Sequence, residues 1–451
     1  MILHMKQTPL YITSIIAAMI GIFGLASCSD DWTYEMQPEF DSYPGNHGDR
    51  TTNEESRKVL LLYSAGFNSL TSYLKEDIND LKSGWLPTAN RTEDVVLVYS
   101  HFPEQTGKYD IGSSPTLVRL HVRDTVVIAD TLVVYPKGTI SSSAIQLNRV
   151  LSYVKDNFQA KGYGMIFSSH ATGYLPAGYY QDAGSYIFEE GEAKARMHRR
   201  PSPVPYIEPD YDPSLPMTKS IGQDQVGVHG SYMSHEMELP DFAEAIPMTL
   251  DYILFDACLM GGIEVAYELK DKVKVIGYSQ TEVLAEGFNY KELTKHLLQN
   301  EEPDPYSVCE DFFTQYDIQS GVYRSATVSM IDCTALDGIA NACQELFYKY
   351  NSQISSLNPS VVQKFFRSSY HWFYDMESIL KNAGVPEEEM KPLYDALEKC
   401  VIYKAHTPEF MNSFKIHTFC GFSMYLPSNG SDQLNKFYKT LKWNKDTGLV
   451  R

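Results

Sequence analysis

The sequence has few of the features that mark disulfide scaffolds, metal ribbons or nucleic-acid binders. Its seven cysteines include no CxxC pair, which argues against a zinc ribbon and a dense disulfide framework. Basic residues number 38 against 57 acidic ones, and the net charge of −19 disfavours nucleic acid as a partner. There is no internal repeat, low-complexity tract or EF-hand loop. Basic peptides are therefore the better electrostatic partners.

The composition is that of a globular chain with a sizeable core. Of its 451 residues, 43% are hydrophobic and 13% are aromatic. That length predicts about two or three domains.

The amino terminus has the pattern of a secretion signal. Lys6 precedes an apolar run over residues 10–25, and small residues close it. The motif LASC, which ends at Cys28, resembles a bacterial lipobox, which implies removal of residues 1–27 and lipidation of Cys28. An ordinary signal peptide cut near Cys28 is the alternative. The acidic residues directly after Cys28 resemble a surface-routing signal, so we expect an outer membrane lipoprotein at the surface of a Gram-negative cell.

Residues 28–56 are polar and rich in turn formers, which predicts a flexible tether to the membrane. Continuous apolar strands then alternate with helical stretches, which predicts an α/β fold with a mostly parallel sheet covered on both faces. The strands are predicted at 59–63, 95–99, 164–167, 252–255 and 273–278, and the helices between them at 69–81, 144–157 and 262–270.

Three further stretches depart from this alternation. Residues 116–136 predict antiparallel strands with turns near Asp124 and Asp130, and residues 189–224, rich in proline, predict a long exposed loop. Apolar spacing beyond residue 336 predicts helices at 336–350, 359–381 and 387–403. We therefore expect a core at 57–335 and a mainly helical carboxyl-terminal extension at 336–451.

Two predicted strands end in residues of chemical use. One ends in Ser168-Ser169-His170 and another in Asp256-Ala257-Cys258. If the strands are parallel neighbours, imidazole and thiol emerge at one edge of the sheet, where sites form. Imidazole can activate a thiol, although a buried cysteine and a solvated histidine remain alternatives on placement alone.

The block around Cys258, DACLMG, resembles the clostripain family of cysteine peptidases in the caspase-like clan. The resemblance continues in further blocks. These are SSH at 168–170, YSAGFNSL at 63–70, SQTE and EGFNY at 279–290, and GFSMYLP at 421–427. It covers roughly residues 58–430. It implies a caspase-like α/β fold and a cysteine endopeptidase.

The resemblance also implies roles for individual residues. Cys258 would be the nucleophile and His170 would orient substrate and protonate the leaving amine. The backbone N–H groups of Cys258 and Ala171 would form the oxyanion hole. The family cuts after Arg and less readily after Lys, which requires acid in the pocket.

The candidate pocket carboxylates are Asp256, Glu282 and Glu286. For Asp256, a strand-end acid held by hydrogen-bond donors is the alternative, and for Glu282 and Glu286 it is a solvated loop. The family places Gly where Ala171 follows the histidine, so a catalytically inactive binding lipoprotein stays open, as does a structural or adhesion role.

Family members are often cut between the histidine and cysteine strands. Here that interval carries Arg196, Arg199 and Lys219, which are the predicted processing positions. We expect no metal and no cofactor, although calcium, which some members use, stays open. His229 and His235 have no further ligand at zinc spacing.

Overall fold

The computed structural model describes residues 57–89, 93–104, 113–177, 179, 187–188, 197–198, 218–219, 222–228, 231–368 and 371–451. Its central element is a nine-stranded sheet. The strands are β1 Lys58–Ala65, β2 Val95–His101, β3 Thr116–Arg123, β4 Val126–Val134, β5 Gly162–Ser168, β6 Leu250–Asp256, β7 Val273–Tyr278, β8 Thr327–Asp332 and β9 Val401–His406.

The strand order across this sheet is β9-β8-β7-β6-β5-β1-β2-β3-β4. The five middle strands are parallel, and the two strands at either edge are antiparallel to their neighbours. The middle strands are buried along nearly their whole length, as their unbroken apolar sequences predict. The predicted α/β architecture with a mostly parallel sheet is confirmed.

Helices cover the sheet and the described carboxyl-terminal region. They are α1 Thr71–Ser83, α2 Ala144–Asn157, α3 Leu239–Glu244, α4 Ile263–Leu269, α5 Tyr290–Leu298, α6 Pro305–Asp317, α7 Leu336–Ser355, α8 Met376–Asn382, α9 Glu387–Cys400, α10 Asp432–Tyr438 and α11 Lys442–Thr447. The helix predicted at 144–157 matches α2, whose start is capped by the Ser143 hydroxyl.

Short two-stranded pairs complete the described fold. They join Ile187–Phe188 to Met197–His198, Asp224–Val228 to Ser231–His235, Thr218–Lys219 to Val283–Leu284, Tyr374–Asp375 to Ser423–Met424, and Glu409–Phe410 to Phe414–Lys415. Parts of the loop predicted at 189–224 lie outside the described residues.

The antiparallel prediction at 116–136 is correct for one turn and wrong for the other. Asp124 and Thr125 adopt positive φ and turn the chain between β3 and β4. Asp130 lies inside β4, where its carboxylate accepts a hydrogen bond at 2.9 Å from the buried His121. The pair of strands extends the main sheet because β3 pairs with β2.

The helix predicted at 359–381 is also wrong. Among the described residues of that range, only a short 3-10 turn at Pro359–Val361 and α8 are helical. Between them the chain doubles back: the Phe365 N–H donates to the Phe373 carbonyl at 3.0 Å, and that of Asp375 to the Gln363 carbonyl at 2.9 Å. We call residues 363–375 the carboxyl-terminal hairpin, of which 363–368 and 371–375 are described. Helical spacing of its aromatic residues reflects their burial, with Trp372 and Phe373 almost fully enclosed.

The helix predicted at 387–403 ends at Cys400, where Val401 and Ile402 begin β9. Because β9 pairs with β8, the region after residue 336 contributes an edge strand to the main sheet. The described residues on either side of the predicted boundary at 335 therefore share one sheet. Among the described residues, no helix combines the length and apolar character needed to cross a membrane.

Candidate active site

His170 and Cys258 lie at the same edge of the sheet. Strands β5 and β6 are parallel neighbours, and their register pairs Ser168 with Asp256. Each candidate follows its strand by two residues. The two loops touch, since a Cβ atom added at Gly173 would lie 2.6 Å from the Leu259 carbonyl oxygen. The topology thus brings imidazole and thiol to the carboxyl ends of adjacent parallel strands, where ligand sites of such sheets form.

His170 is 3% exposed and is held by a serine from another strand end. The Ser69 hydroxyl lies 2.9 Å from Nε2 of His170. That contact engages Nε2 and so orients the imidazole ring. Ser69 lies within the YSAGFNSL block, but no sequence pattern predicts its contact with a histidine 101 residues away. Next to it, the Ser169 hydroxyl donates to the Ala65 carbonyl at 2.6 Å and fixes the turn after β5.

Cys258 is 2% exposed, and its sulfur is contacted by the segment that follows β7. The Val283 N–H donates to Sγ at 3.2 Å. That donor stabilises negative charge on the sulfur, as a nucleophilic thiolate requires. The Leu259 N–H donates to the Thr281 carbonyl at 2.9 Å, so the turn carrying the thiol is fixed to the same segment.

Leu259, directly after Cys258, has a φ of 61°. A branched side chain in this left-handed conformation costs about 1–3 kcal/mol, and such strain concentrates at functional sites. In the loop that follows His170, the residue with a positive φ is Gly173, at +60°. Ala171 is 1% exposed and does not have a positive φ. The backbone there gives no reason to require the family's glycine.

Asp256 is completely buried, and the groups that donate hydrogen bonds to it are neutral hydroxyls. Its Oδ2 accepts from the Tyr290 hydroxyl at 2.6 Å and from the Ser168 hydroxyl at 3.1 Å. Burial, and then the Asp256 carboxylate, hold the pKa of Tyr290 well above its ordinary value, so the phenol stays a donor. Asp256 therefore ties the ends of β5 and β6 to the start of α5.

Glu282 is 3% exposed and is paired with a buried arginine. Nε of Arg367 lies 2.9 Å from one carboxylate oxygen and 3.0 Å from the other. Glu282 is thus not the solvated loop acid that one reading of the sequence allows. Arg367 comes from the carboxyl-terminal hairpin, and nothing in the sequence pattern linked it to Glu282.

Glu286 differs from the other two acids because its side chain is exposed. It raises the pKa of Tyr73 on α1, although burial of the tyrosine is the larger cause. A carboxylate in this position can receive a cation from solvent.

The processing positions are only partly within the described residues. Arg196 and Arg199 lie outside them, as does the predicted lipidation site Cys28. Lys219 lies in the short strand Thr218–Lys219, and its backbone is registered against Val283 in an antiparallel pair. The same Val283 donates its N–H to Sγ of Cys258. One strand spacing, about 5 Å, therefore separates the Lys219 backbone from the residue that contacts the thiol.

No group of three or more His, Cys, Asp or Glu side chains in the described parts of the chain is arranged to hold a metal ion. Asp256 is engaged by Tyr290 and Glu282 by Arg367, so these carboxylates do not provide the six to eight oxygen ligands that calcium prefers. His235 is described and His229 is not. The six cysteines from Cys258 onwards are buried and unbridged.

A thiol and an imidazole at the carboxyl edge of a mostly parallel sheet, with strained backbone beside the thiol, define a caspase-like cysteine peptidase. A model of the clostripain family matches residues 62–198 and 208–448. The chain therefore belongs to the clostripain family, and it is a cysteine peptidase. No curated protein matches it significantly.

Solved structures agree with this assignment. The chain is similar to an inactive zymogen C11 protease from Parabacteroides distasonis, with a TM-score of 0.67 and 25% identity, covering 88% of this chain and 99% of that one. It also shares the fold of iotapain, a secreted C11 cysteine protease from Bacteroides thetaiotaomicron, with a TM-score of 0.65 and 21% identity over 87% of this chain and 99% of that one. A peptide-inhibitor complex of a secreted C11 cysteine protease from B. thetaiotaomicron gives a TM-score of 0.63 at 22% identity over 87% and 99%.

Proposed function

We propose that the protein is an endopeptidase that cleaves after basic residues, Arg and also Lys, through a Cys258–His170 dyad. The observation that carries the proposal is the shared contact of Val283. Its N–H reaches Sγ of Cys258 at 3.2 Å, and its strand pairs with the backbone at Lys219. The extended strand Thr218–Lys219 thus pairs with the segment that contacts the thiol, as a substrate adds to an exposed strand.

The mechanism follows from the two groups at the sheet edge. Sγ of Cys258 passes its proton to His170 and, as thiolate, attacks the carbonyl carbon of the basic residue to form a tetrahedral intermediate. The backbone N–H groups of Cys258 and Ala171 stabilise its oxyanion. His170, held by Ser69, donates a proton to the departing amine as the C–N bond breaks, which leaves a thioester. Water, deprotonated by His170, then releases the new carboxylate and restores the sulfur.

Specificity for a cation requires a carboxylate in the pocket. Asp256, Glu282 and Glu286 are the proposed set, and their surroundings assign them different parts. Glu286 is exposed and can meet the incoming side chain. Asp256 lies two residues before the thiol and adds negative charge from below the surface, whereas Glu282 already binds one guanidinium, that of Arg367.

Self-processing after Lys219 is part of the same proposal, with Arg196 and Arg199 as further positions. Gln223 and Asp224, which follow Lys219 by a few residues, are anchored in the core. Asn68 donates to the Gln223 carbonyl at 2.8 Å, and Asp224 is completely buried, accepting from the Ser141 N–H at 2.5 Å. A cut after Lys219 would leave a new amino terminus at residue 220, three residues before Gln223. Gln223 is bound by Asn68, the neighbour of the Ser69 that contacts His170.

The proposed location is the outer face of the outer membrane, through a lipid on Cys28. The LASC motif and the acidic residues after it support this, and one similar protein is described as secreted. The partners are then a peptide or protein substrate with a basic residue before the cut, and the lipid bilayer.

The test is hydrolysis of matched fluorogenic peptides with Arg, Lys, Leu or Asp before the reporter by the purified chain. We expect turnover of the Arg and Lys peptides only, and none by Cys258→Ala or His170→Ala. Turnover by Cys258→Ala, or preference for the Leu or Asp peptide, would refute the proposal. Cys309→Ala, another buried thiol, is the matched control and should retain activity.

A further inference from the structure

A cavity of about 750 Å³ lies at the base of the carboxyl-terminal hairpin. The 3-10 turn at Pro359–Val361, the hairpin base and the short strand Phe414–Lys415 contribute to its walls. None of the candidate active-site residues, from Cys258 and His170 to the three carboxylates, lines it. It is therefore separate from the site described above.

The charged groups of this cavity are all basic. Lys364 and Lys415 line it together with His371 and His417, and no Asp or Glu does so within the described residues. Neither lysine forms an ion pair with a described carboxylate. The chain as a whole carries a net charge of −19, so this is a local reversal of the prevailing sign.

His371 is the residue whose own contacts are incomplete. It is 7% exposed, and its Nδ1 makes no hydrogen bond within the described structure. Burial, and then the charge of Lys364, lower the pKa of His371 to about 4, so the ring is neutral and carries one N–H. The unpaired Nδ1 is itself buried, so His371 contributes a neutral ring to the lining.

The rest of the lining suits a polar ligand larger than an ion. Amides, hydroxyls and two aromatic rings surround the basic groups, with Asn429, Thr418, Tyr374 and Phe414 among them. Drug-sized ligands occupy pockets of about 300–1,000 Å³, and a bare tetrahedral ion would fill only a small part of this one. Aromatic faces with amides and hydroxyls match the alternating apolar and hydroxyl faces of a sugar ring.

We propose that this cavity binds an anionic saccharide, through a sulfate or phosphate ester held by Lys364 and Lys415. The ester oxygens accept charge-assisted hydrogen bonds from the two ammonium groups and can also accept from the imidazole of His371. The sugar ring lies against Phe414, which is half-buried, because Tyr374 is only 2% exposed.

Occupancy would act on the hairpin itself. Lys364 and Tyr374 face each other across it in a β-bridge, and Arg367 lies three residues beyond Lys364. A ligand that contacts residues on both sides of the hairpin, such as Lys364 and His371, holds the two sides together. We therefore expect the amides of Phe365 and Asp375, which close the hairpin, to exchange with solvent more slowly when ligand is bound.

Binding does not require peptidase activity, so it is tested on the full chain with Cys258→Ala. Calorimetric titrations at constant ionic strength compare a sulfated disaccharide, a phosphorylated disaccharide, the unmodified disaccharide, inorganic sulfate and inorganic phosphate. We expect at least one esterified sugar to bind, the neutral sugar to bind at least tenfold more weakly, and both inorganic ions to bind more weakly than the ester.

Lys364→Gln/Lys415→Gln should weaken ester binding at least tenfold. Lys391→Gln/Lys399→Gln, two exposed lysines on α9 with the same loss of charge, should not. Lys415→Gln alone, at an exposed position, serves if the double variant fails to fold. Equal binding by the cavity and control variants, or no binding of either ester, would overturn the site. Equal affinity for an inorganic ion and its ester would overturn the saccharide assignment.

Discussion

Arg367 donates from Nε to both carboxylate oxygens of Glu282, at 2.9 and 3.0 Å, and both side chains are more than nine-tenths buried. Glu282 precedes Val283, the residue whose N–H contacts Sγ of Cys258. The ion pair therefore links the carboxyl-terminal hairpin to the segment that holds the thiol. We therefore expect Arg367 to act on the site as a positioning residue.

Arg367→Met should destabilise the protein by about 3–5 kcal/mol, because it leaves the buried Glu282 carboxylate without its counter-charge. It should also lower kcat/KM by displacing Val283. Denaturant unfolding and peptide hydrolysis measure the two effects. Adding Glu282→Gln to Arg367→Met should restore part of the stability, since no buried charge is then unpaired. A double variant that is no more stable than Arg367→Met would show that the pair does not matter electrostatically.

Ser69→Ala should lower kcat/KM by up to about tenfold, because one hydrogen bond that orients His170 is worth about 0.5–1.5 kcal/mol. The limb of the pH–rate profile that reports His170 should shift as well, which loss of packing alone would not cause. Ser83→Ala, at the end of the helix that follows Ser69, removes an exposed hydroxyl that donates to the Asp80 carbonyl and is the control. An unchanged profile in Ser69→Ala would refute the role.

Lys219→Ala should abolish a cut at 219–220 during incubation of the purified chain, as followed by intact mass. Cys258→Ala should be uncut at every position, since the thiol is the proposed nucleophile. Lys137→Ala, a basic residue in a different described loop, should be cut normally. A fragment beginning at Ser220 from the Cys258→Ala protein would assign the cut to another peptidase.

Glu286→Gln should raise KM for Arg peptides about tenfold or more while leaving thermal stability unchanged, because the carboxylate is exposed and has no ion pair within the described structure. Glu409→Gln, also exposed, serves as its control. Asp256→Asn should act differently and lower stability, since its Oδ2 accepts from Tyr290 and Ser168 in a fully buried site. Equal KM values for wild type and Glu286→Gln would remove Glu286 from the pocket.

Stability should fall as pH rises from about 5 to 8. Burial raises the pKa of Glu264 from its ordinary 4.5 to about 7, against the lowering effects of the Tyr438 hydroxyl and the Tyr425 N–H. Between these two pKa values the native state binds more protons than the unfolded chain. The free energy of unfolding therefore falls as Glu264 ionises with rising pH. The loss is about 3 kcal/mol at most, and burial raises the pKa of Asp375 to about 6 with the same sign.

Urea unfolding at pH 5 and pH 8 measures this loss. Glu264→Gln cannot ionise and should lose less stability than wild type over that interval. Glu345→Gln, an exposed acid on α7, should behave as wild type. The same pH dependence in Glu264→Gln and wild type would show that the group is not responsible.

The sequence by itself determined the middle of the sheet and the placement of the two reactive residues. Unbroken apolar runs require strands buried on both faces, and the carboxyl ends of neighbouring parallel strands meet at one edge, which puts His170 and Cys258 together. Lipidation at Cys28 and processing at Arg196 and Arg199 stay predictions from sequence, because these residues lie outside the described part of the chain.

Only the tertiary structure decided what surrounds the thiol. Arg367 meets Glu282 across 85 residues, and Ser69 meets His170 across 101. Local periodicity reports which face of an element is buried, but it does not report which distant side chain lies against it. The helix predicted at 359–381 failed for the same reason: aromatic spacing recorded burial, while long-range backbone pairing formed a hairpin. That pairing places Lys364 at the cavity and Arg367 at Glu282.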